Sequence, residues 1–564
     1  MSQPPYPESI APKEIARNVM SPARFAPGER MLLGAVAVSL VVWVVVVLFS
    51  PIVRGADTYV SFSRLYIWTE ALRAGDPLSI WTPIDASGFG SPVPFFYHKL
   101  FNLVGAALSL ATGDVVTGYR FAILAFSSVM FYGVYACAAR LGADRTSRLV
   151  VATASVFAPY MLTKAIEGGV AEYSATTLIP LILALLIDVH NGRFGKWQGL
   201  SLFVLLLLLA QAHVLVFVIA SGVLLMLTLY LIVTSSQSGW PLLAITIGAL
   251  AVFFATTFVP FTWWSAYFCP AQAKIFGHIS DNLLSVGYIF WRSPRSQFGW
   301  PVFALMIGMA FQLRRTDDPR ARMIFAFGGA ALLVILLMTR LTRPLWHISA
   351  QLDFVQFPWR LLSLAIPLCL VVLAGILEQL SPVTKQRIQF GILAFALATA
   401  AALLHFYGNE YAPIPLEQLR REAPPTSVVG PDAGGEYYPA HYQPQLAAID
   451  ILQTPATGVL PAQRPLVEAS GCRYTDIPRP AYFNTLEIPA TCAAGGHVRI
   501  NQFSTPFLTS SARSADGITL APVQGSQFVE YELPAGQWTI SVRQRSYLDL
   551  VLMAWRAKLA KAGL

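Results

Sequence analysis

The sequence predicts a mainly α-helical polytopic membrane protein, with about eleven transmembrane helices and a C-terminal extracytoplasmic β-sandwich domain. Three observations predict it. Only 12% of the 564 residues are charged and 55% are hydrophobic, for a mean hydropathy of +0.56, whereas soluble domains run near a quarter charged. Apolar runs of membrane-crossing length recur, separated by short segments that are basic on alternate turns of the chain. From Gly408 the long runs stop, and proline, glycine and alternating apolar residues take their place.

Residues 1–30 carry Lys13, Arg17, Arg24 and Arg30 ahead of the first apolar run, which places this segment in the cytoplasm. The run Met31–Val53 has no clear A-x-A cleavage site and reads as a retained helix. It opens a transmembrane domain over residues 31–407 whose first outer loop, residues 54–114, is unusually long. That loop holds Asp57, Glu70, Asp76 and Asp85 against Arg54, Arg64 and Arg73, with Trp68 and Trp81. A polar, aromatic loop of this length at a membrane surface suits a working site better than a connector. Within it, Leu100–Thr112 is apolar but short for a span and is expected to lie along the outer surface.

Val115–Ala139 makes the second crossing. Further crossings are expected at Leu149–Leu162, Ala175–Val189, Leu200–Ala212, Val214–Val233, Leu242–Phe261, Val302–Leu313, Met323–Met338, Leu361–Leu380 and Phe390–His405. The division at His213 is marked by neither glycine nor proline. Arg140, Arg145 and Arg148, then Arg193 and Lys196, then Arg314, Arg315, Arg320 and Arg322, then Lys385 and Arg387 fall on the inner side. This alternation also accounts for the net charge of +9 without nucleic acid, because the basic residues do not cluster on one soluble unit. Residues 408–547 alternate like half-buried strands broken by AGG, ADG and PAG turns. Cys472 and Cys492 fall there, and either a disulfide or two free thiols is compatible with the sequence. Residues 548–564 form a short basic amphipathic helix.

Four features of the outer face carry candidate chemistry. Asp57 stands just past the first helix, with Arg64 at i+7 on the same helical side; it is either a helix-start acid or a general base. EGGVAEY sets Glu167 and Glu172 before a helix, as helix-start acids or as support for the base and acceptor. RLTRPLWHISAQLDFVQFPWRLL brings Arg340, Arg343, His347, Asp353 and Arg360 outside, the three arginines against the inside rule. These arginines either snorkel to head groups or hold a lipid phosphate. His213 reads first as a structural hydrogen-bonding residue. Trp68, Trp81, Trp263 and Trp264 are expected as interface anchors or sugar platforms. No P-loop, dinucleotide fingerprint, H-E-x-x-H, G-x-S-x-G or C-x-x-C is present, so an activated substrate would already reside in the membrane.

The ordered runs GAD (Gly55–Asp57), W-x(6)-GFGSP (Trp81–Pro92), EGGVAEY (Glu167–Tyr173), QFPWRLL (Gln356–Leu362) and EYYPA (Glu436–Ala440) give the chain its family likeness. It resembles the GT-C class of membrane glycosyltransferases, and more narrowly the bacterial branch catalogued as pyruvoyl-tetrahydropterin-synthase-related membrane proteins. The resemblance implies a polyprenyl-phosphate sugar donor and a lipid, lipid-linked glycan or protein acceptor at the outer face of the bacterial inner membrane. It implies Asp57 as the base, and by position Arg340, Arg343 and Arg360 as the donor-phosphate site. Arg64, Glu167, Glu172, His347 and Asp353 are then acceptor or supporting residues. A single early acid, where many such enzymes have a pair, argues against a metal-dependent mechanism. No cofactor and no metal site is expected, a divalent ion being left open. The competing reading is a non-catalytic membrane protein in envelope polysaccharide or glycolipid export. An acyltransferase built on His347 ranks below both.

Overall fold

The structure, a computed structural model, describes residues 27–53, 55, 57–85, 88–234, 239–265, 267, 283, 319–348, 355, 357–415, 417 and 465–562. Its helices in chain order are α1 (Pro27–Phe49), α2 (Thr58–Arg73), α3 (Leu100–Thr112), α4 (Val115–Arg140), α5 (Arg145–Val156), α6 (Pro159–Glu167), α7 (Val170–His190) and α8 (Lys196–Ala212). There follow α9 (Val214–Thr234), α10 (Gly239–Phe253), α11 (Val259–Trp264), α12 (Pro319–Leu337), α13 (Leu362–Leu377), α14 (Pro382–Glu410) and α15 (Tyr547–Lys561). Among the described residues nine helical segments are long and apolar enough to cross a membrane, α5–α6 and α10–α11 each counting as one. Of the eleven crossings expected, Leu200–Ala212 falls in α8, which at 17 residues is shorter than the nine. Val302–Leu313 lies outside the described residues.

Local chemistry sets the helix ends. Asp114 accepts from the Thr117 N–H at the start of α4, Asp144 from Ser147 at α5, and Ser381 from Thr384 at α14. The chain does divide at His213, whose backbone is extended. Its ring Nδ1 accepts from the Val216 N–H and so caps α9, while the Lys99 N–H takes the carbonyl of Gln211. The helices differ in depth. The α7 segment is 94% buried, whereas α1 and α14 are 22% and 28% buried and lie on the outside.

Strand β1 (Ile52–Val53) pairs with β2 (Pro413–Ile414), tying the ends of α1 and α14 together. The remaining strands, β3 (Val467–Tyr474), β4 (Thr485–Phe503), β5 (Leu508–Ser514), β6 (Thr519–Leu520), β7 (Phe528–Leu533) and β8 (Gly536–Gln544), form one antiparallel sheet. Where a sandwich over 408–547 is expected, the described part is this single sheet. Long strand β4 pairs with β8 through its first half and β7 through its second, with β3 on its other edge. Cys472 and Cys492, cross-strand partners in β3 and β4, are joined by a disulfide.

The first outer loop is the seat of this domain. Ile80, Trp81, Phe89, Phe95 and Phe96 share one buried cluster with the sheet residues and Trp264. Trp81 Nε1 donates to Gln502 at 2.9 Å, and Gln502 donates back to the carbonyls of Pro83 and Gly88. Arg479 clamps the same two carbonyls. The W-x(6)-GFGSP run is therefore a docking element. Trp81 and Trp264 are packed cores of that junction, and Trp68 is buried in the helical bundle; none of the three is an interface anchor or a sugar platform. Helix α15 fastens the far edge. A widened π turn at Phe254–Phe258, followed by Pro260 with no N–H, leaves carbonyls without their helical donors. Trp555 and Tyr547 donate to two of them, Ala255 and Thr256, at 2.8 and 2.9 Å.

Candidate active site

One end of the bundle holds a cavity of about 50 Å³ where the start of α2, the α6–α7 turn, the α8–α9 joint and the start of α13 converge. That is room for roughly four waters, the scale of a phosphate group and not of a whole sugar. Asp57, Ser61 and Arg64 occupy positions i, i+4 and i+7 of α2, one face of the helix, and all three line it. Asp57 is exposed at the mouth, and its carboxylate makes no capping bond to α2. Its backbone is held from both sides: the N–H donates to the Glu167 carbonyl and the C=O accepts from Ser61, each at 2.9 Å.

The GAD and EGG runs meet because both strip away side chains. A Cβ on Gly55 would sit 2.5 Å from the Glu167 Cα, and one on Gly168 would sit 2.7 Å from the Thr58 backbone. Gly168 also adopts a φ of +80°, ending α6 in the left-handed region. Ser61 Oγ closes the joint by donating to the Gly168 carbonyl at 2.7 Å.

Glu172 is the charged hub. Buried in the first turn of α7, it accepts from Arg360 Nε at 2.7 Å, Lys164 Nζ at 2.6 Å and the Tyr160 hydroxyl at 2.6 Å, with His213 Nε2 3.8 Å away. Arg64 is also buried and lies 3.2 Å over the Tyr97 ring. Three cations thus converge beside two carboxylates, and Glu172 is already taken up by its partners. His98 stacks on His213 at 4.2 Å. Burial, then His213, then Arg64 and Arg360 push the His98 pKa well below its ordinary value, so the ring is neutral. Asn102 lines the cavity, 3% exposed, and its amide donates to the His98 carbonyl while its Oδ1 has no hydrogen-bond partner among the described residues. An unfilled buried acceptor beside a cationic pocket suits a ligand with hydroxyl groups.

Of the residues singled out from sequence, Asp57, Arg64, Glu172, His213 and Arg360 come together here. Glu167 supplies its carbonyl to Asp57, and its carboxylate accepts from Tyr407 at 2.7 Å on the far side of the joint. Arg340, Arg343 and His347 do not line the cavity: they are exposed on short turns after α12. Trp346 tucks inward from those turns, and Leu341 and Ile348 are exposed beside the basic residues, a strip suited to lipid head groups. Asp353 and Gln356 lie outside the described residues, as does EYYPA. Lys164 and His98 went unnoticed in sequence. The signal for Lys164 was there, an ionisable residue inside the apolar run MLTKAI. Among the described residues no three of His, Cys, Asp or Glu group as metal ligands.

Two solved proteins are similar to this one in fold. Against a point mutant of the mycobacterial arabinofuranosyltransferase AftD the identity is 20% and the TM-score 0.45, over 67% of this chain and 28% of that one. Against ArnT from Cupriavidus metallidurans the identity is 17% and the TM-score 0.43, over 67% of this chain and 64% of that one. ArnT bound to undecaprenyl phosphate matches with a TM-score of 0.41. The chain thus spans 28% of the length of AftD that it matches. No protein-family model and no curated relative matches the sequence.

Proposed function

We propose that this protein is a membrane glycosyltransferase of the GT-C type, and on its motif runs a member of the pyruvoyl-tetrahydropterin-synthase-related branch. It moves a sugar from a polyprenyl-phosphate donor to an acceptor hydroxyl at the outer face of the bacterial inner membrane. The observation that carries the reading is one cavity shared by an exposed carboxylate on a rigidly held backbone, Asp57, and three cations, Arg64, Lys164 and Arg360. The disulfide supports an oxidising compartment for the sheet domain. The β1–β2 pair ties that side to the end of the bundle where the cavity lies.

In this reading the donor enters from the bilayer with its phosphate among the three cations. Arg360 keeps the donor-phosphate role that position along the chain had given it with Arg340 and Arg343, and Arg64 and Lys164 stand there in place of the other two. Asp57 removes the acceptor hydroxyl proton as that oxygen attacks the anomeric carbon. The bond from that carbon to the phosphate oxygen breaks, its electron pair leaves with the polyprenyl phosphate, and the sugar inverts. The cations stabilise the charge that builds on the leaving phosphate. Asn102 Oδ1 accepts from a single sugar hydroxyl that reaches into the cavity, the ring itself staying outside.

The test is incubation of purified protein with a panel of radiolabelled polyprenyl-phosphate sugars and membrane lipids. Wild type transfers label to an acceptor. Asp57→Asn, at an exposed position, keeps its fold and loses about 10²–10⁴-fold in rate. Undiminished transfer by that variant removes the base assignment, and no transfer by wild type from any donor removes the function.

A further inference from the structure

Behind the wall formed by the end of α6 lies a second and larger hollow, about 360 Å³, which the proposed reaction leaves unused. Val46 and Val47 of α1, Ile123 of α4, Leu162 of α6 and Leu404 of α14 make it apolar. Helices α1 and α14 touch near their other ends, where Leu32 and Val36 pack with Leu393. The hollow lies between their opposite halves, beside the β1–β2 pair that joins their ends; both are outer helices, so an opening between them would face the bilayer. From Trp43 to Ser50 the lining runs about 10 Å along α1, a third of a hydrocarbon core about 30 Å thick.

The upper rim is polar and charged. Arg120 donates to the carbonyls of Leu48 and, at 2.8 Å, Ser50, capping the last turn of α1 and fixing a cation at the mouth. Tyr407 lines the hollow and donates through the wall to the Glu167 carboxylate; the carbonyl of Glu167 holds the Asp57 N–H. The hollow therefore backs onto the Asp57 loop from the side opposite Arg360. Gly408 lies on the rim, exposed, with nothing within 4 Å of an added Cβ.

We propose that this groove holds the hydrocarbon chain of the acceptor, which is a membrane lipid with an anionic head group and not a protein or a free glycan. The inference rests on the sugar-transfer reading. A hydrocarbon chain matches the lining and gains dispersion contacts there. Arg120 attracts an anionic head group at the membrane surface. The two lipids then approach the Asp57 loop from opposite sides, the donor phosphate among Arg64, Lys164 and Arg360 and the acceptor along α1 and α14.

The probe is phosphatidylglycerol carrying a diazirine in one acyl chain, in phosphatidylcholine vesicles holding the full-length protein. After irradiation, adducts should concentrate on Val46, Val47 and Leu404 over the lipid-exposed Val218 and Leu229 of α9. The same chain on phosphatidylcholine should label these sites less. Gly408→Leu adds bulk at the rim, where its Cβ meets nothing within 4 Å, and improves helix propensity; it should abolish the concentrated adducts while the α9 background stays. In the sugar assay Gly408→Leu should lose transfer to lipid by about tenfold or more and keep slow release of sugar from the donor to water. Even labelling along the bundle, or adducts indifferent to Gly408→Leu, overturns the groove. Labelling indifferent to head group overturns the anionic assignment, and an equal fall in transfer and release overturns the acceptor role. The Asp57→Asn assay does not touch the groove, so the two ideas fail separately.

Discussion

Replacing Glu172 by Gln tests the hub directly. The substitution keeps the shape and one carbonyl acceptor, which Arg360 can still use. Its amide then faces Lys164 and the Tyr160 hydroxyl, both of which donate to Glu172 at 2.6 Å. The side chains of Lys164, Arg360 and Glu172 are 12%, 17% and 7% exposed, so water screens the loss only weakly. Removing one partner of a buried ion pair costs about 3–5 kcal/mol. The slight exposure of both cations argues for the lower end, about 3 kcal/mol. The assay is unfolding in detergent micelles followed by tryptophan fluorescence. The same reasoning predicts that the triple variant Glu172→Leu, Lys164→Met, Arg360→Met returns to within about 1 kcal/mol of wild type, because no buried charge is left without a partner. That triple variant should be inactive in sugar transfer. Wild-type stability in Glu172→Gln, or a triple variant less stable than the single one, would refute the reasoning.

Gly168→Ala puts a methyl against the backbone of Thr58 at a φ of +80° and should displace Asp57; about 1–2 kcal/mol of backbone strain adds to about 1–3 kcal/mol of overpacking. Gly75→Ala shares the φ of +80° but meets open space; it should show only the strain in unfolding measurements and keep full transfer activity. Lys99 is buried before α3, and burial lowers its pKa from 10.5 to about 8. The unfolded chain therefore holds a proton that the folded one has lost between those values. Stability should rise by about 3 kcal/mol as pH climbs through that window, with the full cost of the buried charge below it. Lys99→Met should flatten the slope, read from unfolding midpoints between pH 7 and 10.5.

The sequence by itself determined the parts whose physics is local. Where the solvent is hydrocarbon, backbone groups must bond within their own segment, so an apolar run of sufficient length is a helix. The nine spans among the described residues all fall on expected runs, and the short C-terminal helix and the antiparallel strands were readable from periodicity. The break at His213 was readable only as an interval between two runs. The ring that caps α9 and the chain from Lys99 that takes the Gln211 carbonyl are tertiary partners. Asp57, Glu172 and Arg360 could be picked as ionisable residues where few belong. The sequence could not tell Arg360 from Arg340 and Arg343, which differ in how their turns lie against the bundle. Glu172 and Arg360 are 188 positions apart. Only the packing of α13 beside α7 made them partners, and only the close glycine contacts with the Asp57 and Ser61 hydrogen bonds brought the Asp57 loop onto α6. Likewise the Trp81 run looked like part of a site and proved to be the seat of the sheet. Charges in loops pair according to where their helices end in space, and spacing along the chain carries no record of that.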